Sequence, residues 1–401
     1  MVFFEKNNSL ITNDLFFILD LIEKSEEEAR IVGGAVRNFL LGVDIFDVDI
    51  ATTAVPEKIV NLFQKNGIHT TPIGIEHGTV LISYNGKSYE ITTLREDVET
   101  FGRQAKVSFT KSFQTDSCRR DFTINAIYMD KNGKMFDYHS GIQDVSSRNI
   151  RFVGDARKRI MEDYLRILRY FRFTAYYGNY IPNEEYLEVI NSLKKNMSIL
   201  SSERIISELL KIFSVADSFK IIPMMREVLN ELFDLKIDPL YICEKLKLFS
   251  SMPNTERLSM LLKFSKLSVD QLVQRYNFAK DIKGMLRLPS VDSPKEIRHF
   301  LKYIKKAYRK FFAKYSIVKL CAGNHISETS AQQLIKGLLG FCDSEYVDFN
   351  LKAKDLSKYN LSDNSLRKVM MAAKQFWLKS KTDVSAEDCL NYAVDYIDRN
   401  I

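Results

Sequence analysis

Two aspartates, Asp47 and Asp49, stand two positions apart in the run IFDVDIAT. The alternation of that run predicts a strand, in which residues two apart point to the same face. Side by side, their carboxylates repel each other unless a cation lies between them. A hard divalent ion such as Mg²⁺ meets that need and keeps its remaining positions for phosphate and water oxygens. Ahead of the pair, Gly33 and Gly34 follow a short apolar run and precede a helical pattern, residues 36–41, that stops at Gly42. Glycines at a helix start let backbone amides approach an anion, which the helix N-terminus favours. Arg37, one turn on, is placed for charge-assisted hydrogen bonds to a phosphate. Taken singly, a Gly-Gly pair is an ordinary turn and an Asp-x-Asp an ordinary strand edge. In this order and spacing they are equipment for chemistry on a nucleoside triphosphate.

The second constellation is RIMEDYLRILRYFRF, residues 159–173. Ile160, Leu165, Ile167, Leu168 and Phe171 predict the buried side of one helix; Glu162, Asp163, Arg166, Arg169 and Arg172 supply the polar residues. A solvated helix laced by ion pairs would look the same. The sharper possibility is base reading. Cytosine and adenine both present an exocyclic amino donor beside a ring-nitrogen acceptor, whereas uracil and guanine present the reverse. An aspartate accepts from the first and an arginine donates to the second, so Asp163 and Arg166 could admit CTP and ATP without a template. A mismatched base would leave buried polar groups unpaired, which discriminates strongly.

The elements that must position these residues follow from composition. The chain has 401 residues, 45% hydrophobic and 27% charged, enough for several cores. Its net charge of +7 is a mild basic bias that suits a polyanionic partner. Five scattered cysteines (118, 243, 321, 342, 389) form no CxxC pair, and with five histidines there is no zinc pattern, so a reducing, cytoplasmic setting is expected. DLFFILDLI, interrupted by Asp14 and Asp20, reads as an amphipathic helix, and no apolar run approaches a membrane span.

Twelve of the 16 glycines fall at or before Gly178, and the β-like runs lie there too. IFDVDIAT, IHTTPIGI, GTVLISYN, KSYEITTLR, INAIYMD and KMFDYH predict a small mixed or antiparallel sheet in an α+β domain, with a helix over Pro56–Lys65. Beyond Gly178, Leu/Ile/Lys/Glu-rich segments predict all-α structure to the end. On KSYEITTLR, Glu90 stands where a third carboxylate could join the aspartate pair, or be a plain solvated strand residue. The mixed-charge stretch 95–117, with Gly102, lacks a clear period and is expected to be a mobile loop that could close over a reacting complex. After it, CRRDFTINAIY places Arg119, Arg120 and Asp121 ahead of an apolar segment, with Asp121 a candidate helix cap and the arginines suited to triphosphate or ribose contacts.

These motifs, GGAVRNFLLG with DVD, GTV, ITTLRED, RRDFTINAIY, EDYLRILRYFRF and more weakly SSERIISELLKIF, resemble in kind and order the class II tRNA nucleotidyltransferases. That family comprises the bacterial CCA-adding enzymes and poly(A) polymerases of the DNA polymerase beta-like superfamily. The resemblance covers roughly the first half of the chain. It implies an α+β nucleotidyltransferase head over residues 1–154, then an all-α neck (155–215), body (216–320) and tRNA-binding tail (321–401). It implies Asp47 and Asp49 as ligands of two catalytic Mg²⁺ ions; Glu90 is the candidate third catalytic acid from its strand position alone. Gly34, Arg37, Arg120, Arg169 and Arg172 would contact nucleotide, while Asp163 and Arg166 select the base; from their place in the same motifs, Gly33, Asp121 and Asn125 are further nucleotide-binding candidates. The implied activity is template-independent addition of CCA to the 3′ end of tRNA from CTP and ATP. Poly(A) polymerase and the specialised CC-adding or A-adding enzymes are the nearest alternatives. GTVLISY looks CCA-like, and the long charged stretch from Arg95 argues against a CC-only enzyme. A small-molecule nucleotidyltransferase is disfavoured by the large helical half, and a silent RNA-binding protein by the intact acids and arginines. Two departures stand out: Asn38 replaces the family's usual Asp after the arginine, and LKAKDLSKYNLSDNSLRKVM lacks the usual Gly-Pro elements of the tail.

Overall fold

The computed structural model describes residues 10–101, 104–181, 183–235, 241, 244–245, 247–342, 351–379 and 385–400; Gly102 and Cys243 lie outside them. The chain divides into two compact units, residues 1–215 with 220–231, and residues 216–219 with 232–401.

The first unit is built on a seven-stranded mixed sheet in the order β3-β4-β5-β2-β1-β8-β9. These strands are β1 (Ala29–Val32), β2 (Asp49–Thr52), β3 (His69–Gly74), β4 (Thr79–Tyr84), β5 (Lys87–Thr93), β8 (Ile127–Met129) and β9 (Met135–Asp137). Within this sheet every neighbouring pair is antiparallel except β2 and β5, which run parallel with Asp49 opposite Glu90. Residues directly opposite share a face. One face therefore carries the buried Ile31, Ile50, Ile91, Val80 and Ile82, while the other carries Val32, Asp49, Glu90 and Tyr128. Helices α1 (Asn13–Glu23) and α3 (Pro56–Lys65) contribute buried Ile18, Leu19, Ile59 and Phe63. Helix α2 (Gly34–Leu41) leaves β1 through Gly33, whose φ of +74° an L side chain rarely adopts, and stops at Gly42 in the left-handed region.

Three local expectations need correction. Strand β2 begins only at Asp49, because β1 ends at its partner Val32 and the chain turns away at Gly33; Asp47 therefore lies in the segment leading into the strand. The stretch expected as a mobile loop is a hairpin, β6 (Arg95–Phe101) with β7 (Gln104–Phe109), followed by helix α4 (Phe113–Cys118). A register shift between Asp97 and Glu99 throws its alternation out of phase, which hides the strand period. The single helix expected over residues 159–173 is two helices, α6 (Ala156–Glu162) and α7 (Leu165–Tyr177). Asp163 breaks it: its backbone is extended (φ −153°, ψ 106°) and its Oδ1 accepts from the Leu165 amide at 3.1 Å.

Helices α8 (Glu184–Leu193), α9 (Ser202–Ser214) and α10 (Ile222–Phe233) follow, with α9 packed on α7. Among its described residues the second unit is built of helices, from Asn254–Leu262 to Ala386–Asn400. Its last two helices close over Leu351, Leu356, Val369, Ala373, Trp377, Cys389 and Ala393. No helix among the described residues is long and apolar enough to cross a membrane.

Candidate active site

A cleft of about 830 Å³ in the first unit joins the two constellations. Its lining includes Gly33, Gly34, Arg37 and Asp49 from the first constellation and Asp163, Arg166 and Arg169 from the second, together with Arg119, Arg120, Asp121, Asn125 and Arg204. Asp49 reaches it from the start of β2, the glycines and Arg37 from the start of α2, and Asp163 from the break between α6 and α7.

The acidic part consists of Asp47, Asp49 and Glu90. Asp49 keeps solvent access, but the crowding of protein around its carboxyl costs hydration and raises it from its ordinary value; Arg120 opposes this and the charge of Asp47 adds to it. Glu90 is raised as well, by burial first and then by Asp49, with Arg95 pulling against them. Two raised carboxyls, Asp49 and Glu90, with the Asp47 carboxylate near them and a cleft alongside, have the chemistry of a hard-cation site. Among the described residues no three ligating side chains are arranged to enclose an ion, so a cation here would draw further oxygens from phosphate and water.

Each arginine of the cleft is held by a named partner. Arg37 is buried at the start of α2: Nη1 donates to Asn125 Oδ1, Nη2 to Asn38 Oδ1 at 2.8 Å and to the Tyr177 hydroxyl at 2.8 Å. Its guanidinium carbon also lies 4.0 Å from the Tyr177 ring centroid. Burial lowers its affinity for its proton, yet these direct partners are neutral, so its charge faces the cleft without a bonded counter-ion. The amide of Gly33 is committed to the Ile127 carbonyl at 3.3 Å.

Asp116, fully buried on α4, organises the next pair. Its Oδ1 accepts from Arg119 Nε at 2.8 Å, and its Oδ2 accepts from Arg120 Nη2 at 3.2 Å and the Tyr128 hydroxyl at 2.7 Å. Burial would push its carboxyl up; the two arginines and Tyr128 overcome that and hold it below the usual range. Asp121 does not cap a helix: the short 3₁₀ turn Thr123–Asn125 is preceded by Phe122. Its Oδ1 instead accepts from the Phe122 amide and Asn125 Nδ2, and its Oδ2 takes both Nε and Nη2 of Arg169. Burial raises this carboxyl too, and Arg169 brings it below its ordinary value.

Asp163 and Arg166 share the cleft but do not pair. Asp163 Oδ2 accepts from Arg204 Nη2 at 2.6 Å, whereas Arg166 Nη1 donates to Glu162 Oε2 and to the Arg159 carbonyl at 2.7 Å. Arg172 faces Glu208 of α9 at 3.2 Å, and Glu208 also meets Lys211 at 3.3 Å. Sequence reasoning missed Asp116, Tyr177, Arg204 and Glu208 as partners, whereas the local ion pairs of Glu162 with Arg159 and Arg166 are those of the ion-paired helix it had weighed. For Arg204 and Glu208 the signal available was the motif SSERIISELLKIF that holds them.

Residues 29–151 match the family model described as the poly A polymerase head domain. Human mitochondrial CCA tRNA nucleotidyltransferase 1 is 45% identical over 210 residues, which cover 51% of this chain and 48% of that protein. The CCA-adding enzyme of Oceanobacillus iheyensis is 39% identical over 255 residues, covering 62% and 60%. These likenesses, over half to three fifths of the chain, support its resemblance to the class II tRNA nucleotidyltransferases. The chain spans about half the length of the first of these curated relatives and three fifths of the second. The fold is shared with the Bacillus stearothermophilus CCA-adding enzyme solved in complex with CTP, with a TM-score of 0.61 at 22% identity over 96% of this chain and 97% of that one.

Proposed function

We propose that this chain adds C, C and A to the 3′ end of tRNA from CTP and ATP without a template, releasing pyrophosphate at each step. The observation that carries it is a cleft lined both by Asp49 of the acid cluster and by Asp163 and Arg166, the proposed base readers. Asp47 and Asp49, with Glu90 beside them, would hold two Mg²⁺ ions, which when bound supply an activated 3′-hydroxyl and neutralise the departing pyrophosphate. Arg37, Arg120, Arg169 and Arg172 would bind the triphosphate and ribose, with Gly34 at the helix start and Asp121 and Asn125 fixing the arginines. The bond from the 3′ oxygen to the α-phosphorus forms as the α–β bridging bond breaks, and the hydroxyl proton passes to solvent. Positioning and charge neutralisation carry the barrier. Asp163 would accept from the exocyclic amino group and Arg166 donate to the ring nitrogen of C or A.

In the division proposed here the head (1–154) and neck (155–215) do this chemistry, and the body (216–320) and tail (321–401) grip the tRNA backbone, so binding weakens with salt. The relatives are named for CCA addition in bacteria and mitochondria. The cytoplasmic assignment for this chain is part of the proposal. The test is incubation of the protein with tRNA lacking its 3′ end, Mg²⁺ and each NTP singly and together. Addition of three nucleotides and a stop supports the proposal. A long A tract makes the chain a poly(A) polymerase, two cytidines or one adenosine make it a specialised enzyme, and no incorporation overturns it.

A further inference from the structure

Phe46 is 86% exposed, the most open of the large apolar side chains among the described residues. It immediately precedes Asp47, in the segment between α2 and β2, and Val43 three residues earlier is 46% exposed. Single exposed apolar residues are ordinary. This one is distinguished by where it is fastened. The Val43 amide donates to the Asn38 carbonyl at 3.0 Å, and Asn38 Nδ2 donates to the Asp44 carbonyl at 2.9 Å, tying the segment to the helix that also carries Arg37. A flat, solvated ring is thereby anchored one residue from the acid cluster.

We propose that the Phe46 ring is the stacking platform for the 3′-terminal base of the RNA acceptor, a positioning residue that sets the terminal ribose beside the acids. The inference rests on the nucleotidyl-transfer proposal, which requires the acceptor 3′-hydroxyl to lie next to Asp47 and Asp49. The terminal base of that nucleotide is then within reach of the neighbouring side chain. Every base has a π-face, so aromatic stacking tolerates any sequence. That suits an acceptor whose last base changes after each addition. A hydrogen-bonding side chain in the same place would favour one base and hinder the others.

The test uses the full chain with tRNA ending before CCA, CTP and Mg²⁺. Phe46→Ala is expected to raise KM for tRNA about tenfold, within the range for losing one base–aromatic stack, while KM for CTP stays within about twofold. Phe46→Trp is expected to restore KM, and its new emission should be quenched by tRNA but not by tRNA with an abasic 3′-terminal nucleotide. The chain's one native tryptophan, Trp377, is 5% exposed and serves as the background. An equal KM rise on intact and abasic tRNA, or an unchanged KM, overturns the proposal. So does conversion of a dimer to a monomer by Phe46→Ala with KM unaltered, which would make the ring a contact between two copies. If the wild-type chain transfers no nucleotide at all, nucleotidyl transfer fails, and quenching in Phe46→Trp still decides separately whether the base stacks there.

Discussion

Asp49 and Glu90 face each other in register on parallel strands, β2 and β5, so two carboxylates share one patch of the sheet with Asp47 adding a third charge. Such a cluster is a standing repulsion in the free protein and an asset once a divalent cation binds. Mg²⁺ at a hundredfold excess over its Kd should stabilise the protein by about 2.7 kcal/mol. In a unit of this size that is a rise in Tm of roughly 2–4 °C per kcal/mol. Asp49→Asn should remove most of the rise and lower kcat by about a thousandfold, while leaving the circular dichroism spectrum unchanged. Differential scanning calorimetry with Mg²⁺ and with EDTA checks it; an undiminished shift in the variant would move the cation elsewhere.

Asp116 makes a different prediction, on stability and pH. Its carboxyl is held below the ordinary range in the folded chain, so its contribution is full above the unfolded carboxylate pKa and is lost as pH falls through the folded one. Asp116→Asn should therefore destabilise the protein by about 3 kcal/mol at pH 7, because Arg119 and Arg120 lose a buried partner. The difference between variant and wild type should shrink as pH falls into and below the carboxylate range. Urea unfolding of both proteins across that range measures it.

Much of this site was legible from one-dimensional spacing because its parts are local. Gly33, Gly34 and Arg37 fall within one helix start, and Asp47 and Asp49 within one run, so their types and intervals carried the chemistry. Strands β3, β4, β5, β8 and β9 were legible for the same reason, each being a short β-rich run, whereas the β6–β7 hairpin was not. What stayed hidden depends on contacts across long separations. Asp163 finds Arg204 41 positions away, and Arg169 finds Asp121 48 positions away; periodicity carries no trace of either. The break at Asp163 was hidden for a subtler reason: no glycine or proline marks it, and the side chain that ends α6 was also the one suited to base reading.

The Asp163–Arg204 bond bears on selectivity. With one carboxylate oxygen engaged by Arg204 and the other by the Leu165 amide, the carboxylate plane is fixed before a base arrives. Arg204→Ala should release it. The expected outcome is a drop of about tenfold in kcat/KM for CTP and ATP with a smaller drop, or none, for UTP and GTP, so that discrimination falls. Competition assays with paired nucleotides measure the ratio. Loss of all four nucleotides in equal proportion would assign Arg204 to phosphate binding instead.

Asn38 bears on anion affinity. Its Oδ1 accepts from both Nε and Nη2 of Arg37, at 3.2 and 2.8 Å, as a carboxylate would, but it brings no charge. Its Nδ2 separately anchors the Asp44 carbonyl. Asn38→Asp would keep an acceptor for Arg37 while adding a negative charge beside the guanidinium meant for a phosphate. A triphosphate would then compete with a built-in counter-ion, and CTP affinity should fall about fivefold, roughly 1 kcal/mol. Asn38→Ala is the control: it loses the same anchor to Asp44 and adds no charge. If charge is the cause, calorimetric titration with CTP should show the Asp variant weaker than the Ala variant, with the gap narrowing as salt screens it. Equal affinities for the two variants would assign the effect to the lost anchor, and would make the asparagine a fastener of the Phe46 segment rather than a guard of the Arg37 charge.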